Sequence, residues 1–459
     1  MTGNKQGTIR LTRREALQIG LGLCAVSTQI RAEEAPRRMP AKDTFADTPP
    51  MGWNTSGSYN LAGENEEMVK RGVDAIVQEG LKDAGYTVVL IDYGWYQDEH
   101  GTTTGINPLT RCDAFGRYIP NADRFPQGFE PLANYIHAQG MKLGLHLMRG
   151  IYRGAYDANL PVKGTPYHAR EITDTGSVCG WSDLTYGLKM EHPGAQAYLD
   201  SLFDLFAEWG VDFLKIDDLI SPYHAAEIEG YHHARMRSGR PIIISGSPGD
   251  QTPLARATHL QANMEMYRIT KDQWDAWSDI LVQFERAAQW APYCGRGTWA
   301  DLDALPVGMM FDSVRAKRIV PTRFTPDEIR TTMTLHCIAR SPLVFYADPL
   351  KVDPFTKETL TNADALRANR CGSAQRQLNA DAKTITWIST DAENGNTYLA
   401  LFNLMEQPSV VEQSVVDLGF KQGCRVRDIW QQSDRGTVAD SLTANIPGHG
   451  VAFYVLAPP

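Results

Sequence analysis

The sequence predicts an α/β protein: a (β/α)8 TIM barrel followed by an antiparallel β-sandwich. Three observations carry this. Eight apolar strand candidates recur over about 300 residues with helical patterns between them, polar side chains gather at one end of those strands, and past residue 372 the pattern shifts to short alternating strands. Strand–helix alternation of that length builds a parallel sheet, and eight units close it into a barrel. A doubly wound open sheet is the structural alternative, weakened because no G-x-G-x-x-G follows the first strand.

The chain opens differently. Residues 1–32 hold Lys5, Arg10, Arg13, Arg14 and Arg31 against Glu15 alone, then a short apolar core from Leu17 to Val26 and a small residue, Ala32. This is the layout of an export signal, and the Arg13–Arg14 pair reads as twin-arginine type, so a bacterial periplasmic or secreted location is expected. Residues 33–47 read as a polar linker, 48–360 as the barrel and 372–459 as the sandwich. The formal net charge is −9 and becomes more negative once the basic signal is removed. An acidic surface repels phosphate backbones, which argues against a nucleic-acid partner. No apolar run approaches the roughly 20 residues of a mature membrane span. Six of the seven cysteines follow the signal, none spaced as CxxC, so a zinc knuckle is not expected. Export permits disulfides, and Cys112 with Cys179 is the pairing that loop-like sequence suggests.

Met51–Thr55 supplies the first strand. The others are TVVLIDYGW (87–95), MKLGLHLM (141–148), VDFLKIDDL (211–219), PIIISGS (241–247), HLQANMEM (259–266), GTWADLD (297–303) and PLVFYAD (342–348). Helices between them show apolar residues at three- and four-residue spacing, as in NEEMVKRGVDAIVQEGLKDAG, FEPLANYIHAQG and GAQAYLDSLFDLFAEWG. In the last part TITWIST, NTYLALFNLM, SVVDLGF, CRVRDIW and HGVAFYVLAPP read as sandwich strands.

In a parallel barrel the chemistry sits at the C-terminal strand ends. Here those ends carry Trp53 and Asn54; Asp92 and Trp95; His146 and Arg149; Lys215, Asp217 and Asp218; Ser245 and Ser247; Arg268 and Asp272; Asp301 and Asp303; and Asp348. Carboxylates dominate and aromatics accompany them. Histidine is too sparse for a metallohydrolase, and no G-x-S-x-G is present for a serine hydrolase, so neither metal nor cofactor is expected. Paired carboxyls with aromatic faces suit glycoside hydrolysis. Lys215 stands two residues before Asp217 and so shares its side of the strand, where its cation keeps Asp217 ionised as a nucleophile. Asp218 faces the other way, toward the scaffold. Asp272 is the candidate acid/base, with an N-cap role as the bland alternative and Asp275 and Asp301 as rivals. His146 is divided between sugar contact and core packing.

PPMGWNTSG, KLGLHLMRG, GVDFLKIDDL and SPLVFYADPL, in this order, resemble glycoside hydrolase family 27, the melibiase-type α-galactosidases and α-N-acetylgalactosaminidases. The resemblance implies that Asp217 is the nucleophile and Asp272 the acid/base of a retaining double displacement. It implies sugar binding by Trp53, Asp92 and Asp303, with Trp95, His146, Lys215, Ser247 and Arg268 around them. The chain departs from the family pattern at Tyr93, where a second carboxylate is usual, at His146, where Tyr is common, and at SGSPGD, where C-E-W-P is usual. Ser247 in place of a Glu leans toward a wider pocket and a 2-acetamido sugar. The expected activity is thus an exported exo-α-glycosidase acting on a small or oligosaccharide α-glycoside, foremost an α-galactoside. An α-N-acetylgalactosaminidase or another pyranoside hydrolase on the same fold is the alternative, and a non-catalytic sugar-binding protein the second class. The sequence leaves the oligomeric state open.

Overall fold

The computed structural model of the chain describes residues 45–96, 112–312 and 317–459. The expected export signal and most of the expected linker lie outside the described residues. The folded body begins before residue 48, because Phe45 and Ala46 are buried. The Arg235 guanidinium lies over the Phe45 ring at 5.1 Å, and the Trp299 indole donates to the Ala46 carbonyl at 2.8 Å.

Eight strands form one parallel sheet: β1 (Met51–Asn54), β2 (Val88–Ile91), β3 (Lys142–Met148), β4 (Phe213–Asp217), β5 (Ile243–Gly246), β6 (Met266–Arg268), β7 (Trp299–Asp301) and β8 (Leu343–Phe345). They run in the order β7-β6-β5-β4-β3-β2-β1-β8. A parallel bridge from Leu305 to Phe345 joins the two ends, with Leu305 donating to the Val344 carbonyl at 2.6 Å. The sheet thereby curls into a (β/α)8 barrel.

Both faces of the sheet are buried, which explains the near-continuous apolar runs. Val88, Leu90, Phe213, Ile243, Met266 and Val344 fill the interior, while Val89, Leu143, Leu145, Leu214, Ile216 and Ile244 pack outward on helices. Period-two alternation then fixes β4 completely: Phe213, Lys215 and Asp217 face inward, Leu214 and Ile216 outward. Parity also corrects Trp53. It alternates with the inward Gly52 and Asn54, so its ring sits on the helix side with Val69 and Val73. It packs so closely on α1 (Glu66–Gln78) that a Cβ on Gly72 would lie 2.3 Å from the indole.

The helices start where local chemistry satisfies their free amides. Asn65 accepts from Met68 N to open α1, and Pro193 at the first turn with His192 as cap opens α3 (Pro193–Glu208). Between these two lies α2 (Phe129–Ala138). The segment 259–266, expected as a strand, is mainly helix: α5 (Ala257–Asn263) follows α4 (Ala225–Ser238), and β6 begins only at Met266. ATHLQAN has the residue types of a short helix, and its brevity hid the period. The helix expected from Asp272 begins five residues later as α6 (Trp277–Trp290), with Ala276 at the cap. Asp272 is therefore no N-cap. The helix between β7 and β8, α7 (Pro326–Ala339), opens with a capping box between Thr325 and Glu328.

The sandwich has eight strands: β9 (Gly372–Ala380), β10 (Thr384–Asp391), β11 (Thr397–Asn403), β12 (Ser409–Ser414), β13 (Cys424–Asp428), β14 (Ser433–Val438), β15 (Ser441–Ile446) and β16 (Val451–Ala457). Six pair in the order β9-β10-β11-β16-β13-β14, and β12 pairs with β15. Most of SVVDLGF, expected as a strand, is a turn beyond β12. Phe284 on Phe402 (4.8 Å) and Trp277 stacked on His449 (4.0 Å) fasten sandwich to barrel. All six cysteines among the described residues are free thiols, so the expected Cys112–Cys179 disulfide is absent. Cys179 is instead buried next to Asp218.

Candidate active site

The C-terminal end of β4 delivers Asp217 into a cavity of about 430 Å³. Asp92, Tyr93, Lys215, Arg268, Asp272, Trp181, Trp274 and Tyr346 are among its walls. These residues come from the ends of β2, β4, β6 and β8 and from the loop before β4, so separate elements converge on one space.

Asp217 is held by three groups. His146 Nε2 lies 3.0 Å from Oδ2, the Ser247 hydroxyl donates to Oδ1, and Lys215 Nζ is 3.9 Å away. Register explains the convergence: His146 pairs with Lys215 across β3 and β4, and Lys215 with Ser245 across β4 and β5. Burial alone would raise the Asp217 pKa, but the Lys215 cation, His146 and the two hydrogen bonds hold it far below the usual carboxylate range. Lys215 also pairs with Asp92, 3.2 Å to Oδ2. Burial would lower the lysine, yet Asp217 and Asp92 together raise it. Asp92 in turn accepts from Asn54 Nδ2 at 2.5 Å, and its own burial is outweighed by Lys215 and His146, so it too is held low.

The next residue turns away. Asp218 has φ 61°, in the left-handed region that non-glycine residues seldom occupy, and this turn separates the two carboxylates. Its side chain binds Arg149, at 2.8 Å from Nη2, and Arg149 reaches Glu227 at 2.5 Å on the other side. This buried triad anchors the scaffold behind Asp217.

At the end of β6 Arg268 bridges Asp272 and Asp303. Asp303 is buried and also accepts from Gln273 N at 2.7 Å. It thus holds Arg268 and the turn that carries Asp272, and it lies on a small interior hollow of about 30 Å³ rather than on the main cavity. The Asp272 side chain is 67% exposed at the mouth. The rivals are otherwise engaged: Asp275 pairs with Arg323, and Asp301 is buried on β7, accepting from Asp303 N.

Four more of the expected sugar contacts do not line the main cavity. Trp53 and Trp95 are both fully buried. Trp53 donates to Ser58 Oγ at 2.7 Å, and Trp95 donates to the His146 carbonyl at 2.8 Å while packing on Phe129 and Trp209. His146, also fully buried, and Ser247 are turned onto Asp217. With its hydroxyl committed to Asp217, Ser247 gives no direct sign of extra room for a 2-acetamido group. Two wall residues escaped the sequence reading. Tyr346 follows β8 and packs tightly against Gly57, where a Cβ would come within 2.4 Å of its side chain. Trp274 follows Asp272 by two residues. An aromatic next to a strand end was the only available signal for each.

Glu64 supports the site from below. It accepts from Thr55 Oγ1, which itself accepts from Asp92 N at 3.2 Å. Burial pushes its pKa up to about 8, against the opposing effects of the Thr55 bond and Arg124. The unfolded chain loses this proton near pH ~4.3, the folded chain only near 8, so between those values Glu64 makes stability fall as pH rises. Glu64→Gln is expected to remove that fall. Thermal melts of wild type and variant at pH 5 and pH 8 check it, and an unchanged difference between the two pH values would contradict it.

A parallel barrel with carboxylates of opposite exposure across an aromatic-walled cavity at its C-terminal mouth is the framework of a glycoside hydrolase. The family model described as Alpha galactosidase A matches residues 48–156 and 157–371, and the Alpha galactosidase C-terminal beta sandwich domain matches 381–456. The chain belongs to glycoside hydrolase family 27. Among solved structures it is similar to the family 27 β-L-arabinopyranosidase of Geobacillus stearothermophilus: 39% identity, TM-score 0.87, covering 91% of this chain and 98% of that one. A Bacillus halodurans protein provisionally named an α-N-acetylgalactosaminidase shows 33% identity and TM-score 0.80, covering 90% of this chain and 97% of that one. Among curated relatives, the α-galactosidase of Cyamopsis tetragonoloba is 28% identical over 431 residues, covering 92% of this chain and 89% of that protein.

Proposed function

We propose that the chain is a retaining exo-glycosidase that removes terminal α-D-galactosyl residues, with Asp217 as nucleophile and Asp272 as acid/base. The observation that carries this is the environment of Asp217. An inward-facing carboxylate kept anionic by Lys215, His146 and Ser247, at the floor of a cavity whose mouth bears a second carboxyl, is what double displacement requires. In the first step Asp217 attacks the anomeric carbon while Asp272 gives its proton to the departing oxygen. In the second, Asp272 takes a proton from water, which attacks the glycosyl–Asp217 ester from the face the leaving group vacated. Two inversions give net retention. Asp92 and Lys215, paired at the cavity wall, are placed to hold ring hydroxyls.

Tyr93 favours a second reading of the sugar. It stands where the family pattern has another carboxylate, and it is buried, 5.3 Å from the His146 ring and 6.0 Å from that of Trp181. The pocket therefore has one hydroxyl-binding carboxylate fewer and one ring more. β-L-arabinopyranose has the ring configuration of α-D-galactose without the exocyclic hydroxymethyl group, so it suits that exchange. The β-L-arabinopyranosidase similarity points the same way. A panel of matched nitrophenyl glycosides tests both sugars. Turnover of the α-galactoside is expected, and Tyr93→Asp is expected to shift kcat/KM toward it from the β-L-arabinopyranoside by about tenfold, the net worth of one hydrogen bond. Turnover of neither sugar would overturn the function, and an unmoved ratio would overturn the role of Tyr93.

A further inference from the structure

Besides the charged groups around Asp217 and Asp272, the cavity is walled by the rings of Trp274, Phe311 and Tyr346. Its volume, about 430 Å³, falls in the range that encloses ligands larger than a single small ring. Trp274 is 36% exposed, although a large aromatic ring gains most by being covered. Its ring lies within 18° of parallel to Tyr346, at 6.5 Å between centroids.

The turn that presents Trp274 is held firmly. Trp274 N donates to Asp279 Oδ2 at 3.2 Å, Lys271 Nζ contacts Asp279 Oδ1 at 3.1 Å, and Gln273 N donates to Asp303 at 2.7 Å. The backbone that carries the indole is thus held in place, and the ring itself lies beside Tyr346. Position along the chain gives it a side of the reaction. A general acid must reach the glycosidic oxygen, so what lies beside Asp272 and away from Asp217 faces the leaving group.

We propose that Trp274 forms a leaving-group subsite that stacks on the apolar face of a second pyranose, so that the preferred substrates are glycosides of another neutral sugar rather than of a small alcohol. The inference rests on the glycosidase reading above and adds the class of aglycone. A neutral ring is favoured because the charges near it are already paired: Arg268 with Asp272 and Asp303, and Lys271 with Asp279. The flat C–H face of a pyranose meets the negative face of an indole as other positive edges do.

Three substrates carrying the same accepted sugar separate the possibilities: its glycosyl fluoride, its methyl glycoside and its disaccharide with glucose. The fluoride's leaving group is too small to cover Trp274. The methyl glycoside needs Asp272 as much as the disaccharide does but brings no ring. For wild type, kcat/KM for the disaccharide is expected to exceed that for the methyl glycoside by tenfold or more. In Trp274→Ala that ratio is expected to collapse about tenfold or more, and Trp274→Phe should recover most of it. An unchanged ratio in Trp274→Ala, or equal losses on all three substrates, would overturn the subsite while leaving the glycosidase reading intact. Turnover of none by wild type would remove that reading and the subsite with it.

Discussion

Asp217→Asn is expected to lower turnover on the order of 10⁴-fold or more, the scale seen when a catalytic nucleophile is removed. The amide is nearly isosteric, so the β4 backbone and its register with β3 and β5 remain. What disappears is the negative charge that Lys215, His146 and Ser247 are arranged to stabilise. The loss should be alike for good and poor leaving groups, because formation of the glycosyl ester precedes everything else. Kinetics on an aryl glycoside and a disaccharide check it, with circular dichroism confirming the fold. A folded variant retaining more than about a tenth of wild-type kcat would mean that Asp217 is not the nucleophile.

Asp272→Asn should behave differently. Its loss is expected to reach about 10²–10⁴-fold for a disaccharide, whose leaving oxygen needs a proton. An aryl glycoside or glycosyl fluoride leaves without one, so its first step should change far less. Their hydrolysis then becomes limited by breakdown of the ester, which also needs the base. External azide should restore that second step, since an anionic nucleophile needs no deprotonation. Equal losses on all substrates, without azide rescue, would instead place Asp272 as a support for Arg268.

Much of this arrangement was legible in the sequence because it follows from parity. Phe213, Lys215 and Asp217 alternate with Leu214 and Ile216, so one buried strand declares which charges enter the barrel and which residues meet the helices. The same rule, applied to β1, would have moved Trp53 to the helix side, as the inward Asn54–Asp92 contact shows. Residues past a strand end escape the rule. Asp218 turns toward Arg149 through a left-handed backbone, and Trp95 folds back into the core beneath His146. Neither conformation has a periodic signature. Partners distant in sequence were also hidden. Ser247 meets Asp217 across thirty positions and Arg268 meets Asp303 across thirty-five, and only the pairing of neighbouring strands shows that these are supporting contacts. In the sandwich, Ser433–Val438 and Ser441–Ile446 are polar enough at their surface to read as loop, though each is a paired strand.

The central claim is that Asp217 forms a covalent bond to the sugar. Incubation with a 2-deoxy-2-fluoro glycosyl fluoride of the accepted sugar, followed by peptide mass spectrometry, tests it most directly. The fluorine at C2 slows both steps by destabilising the oxocarbenium-like transition state, while the fluoride leaving group preserves the first. The predicted result is one added fluoroglycosyl group per chain, on the peptide containing FLKID, with activity lost in proportion and regained as the ester slowly hydrolyses. Labelling of a peptide without Asp217, or turnover of the wild-type enzyme with inversion at the anomeric carbon and no label, would contradict the account.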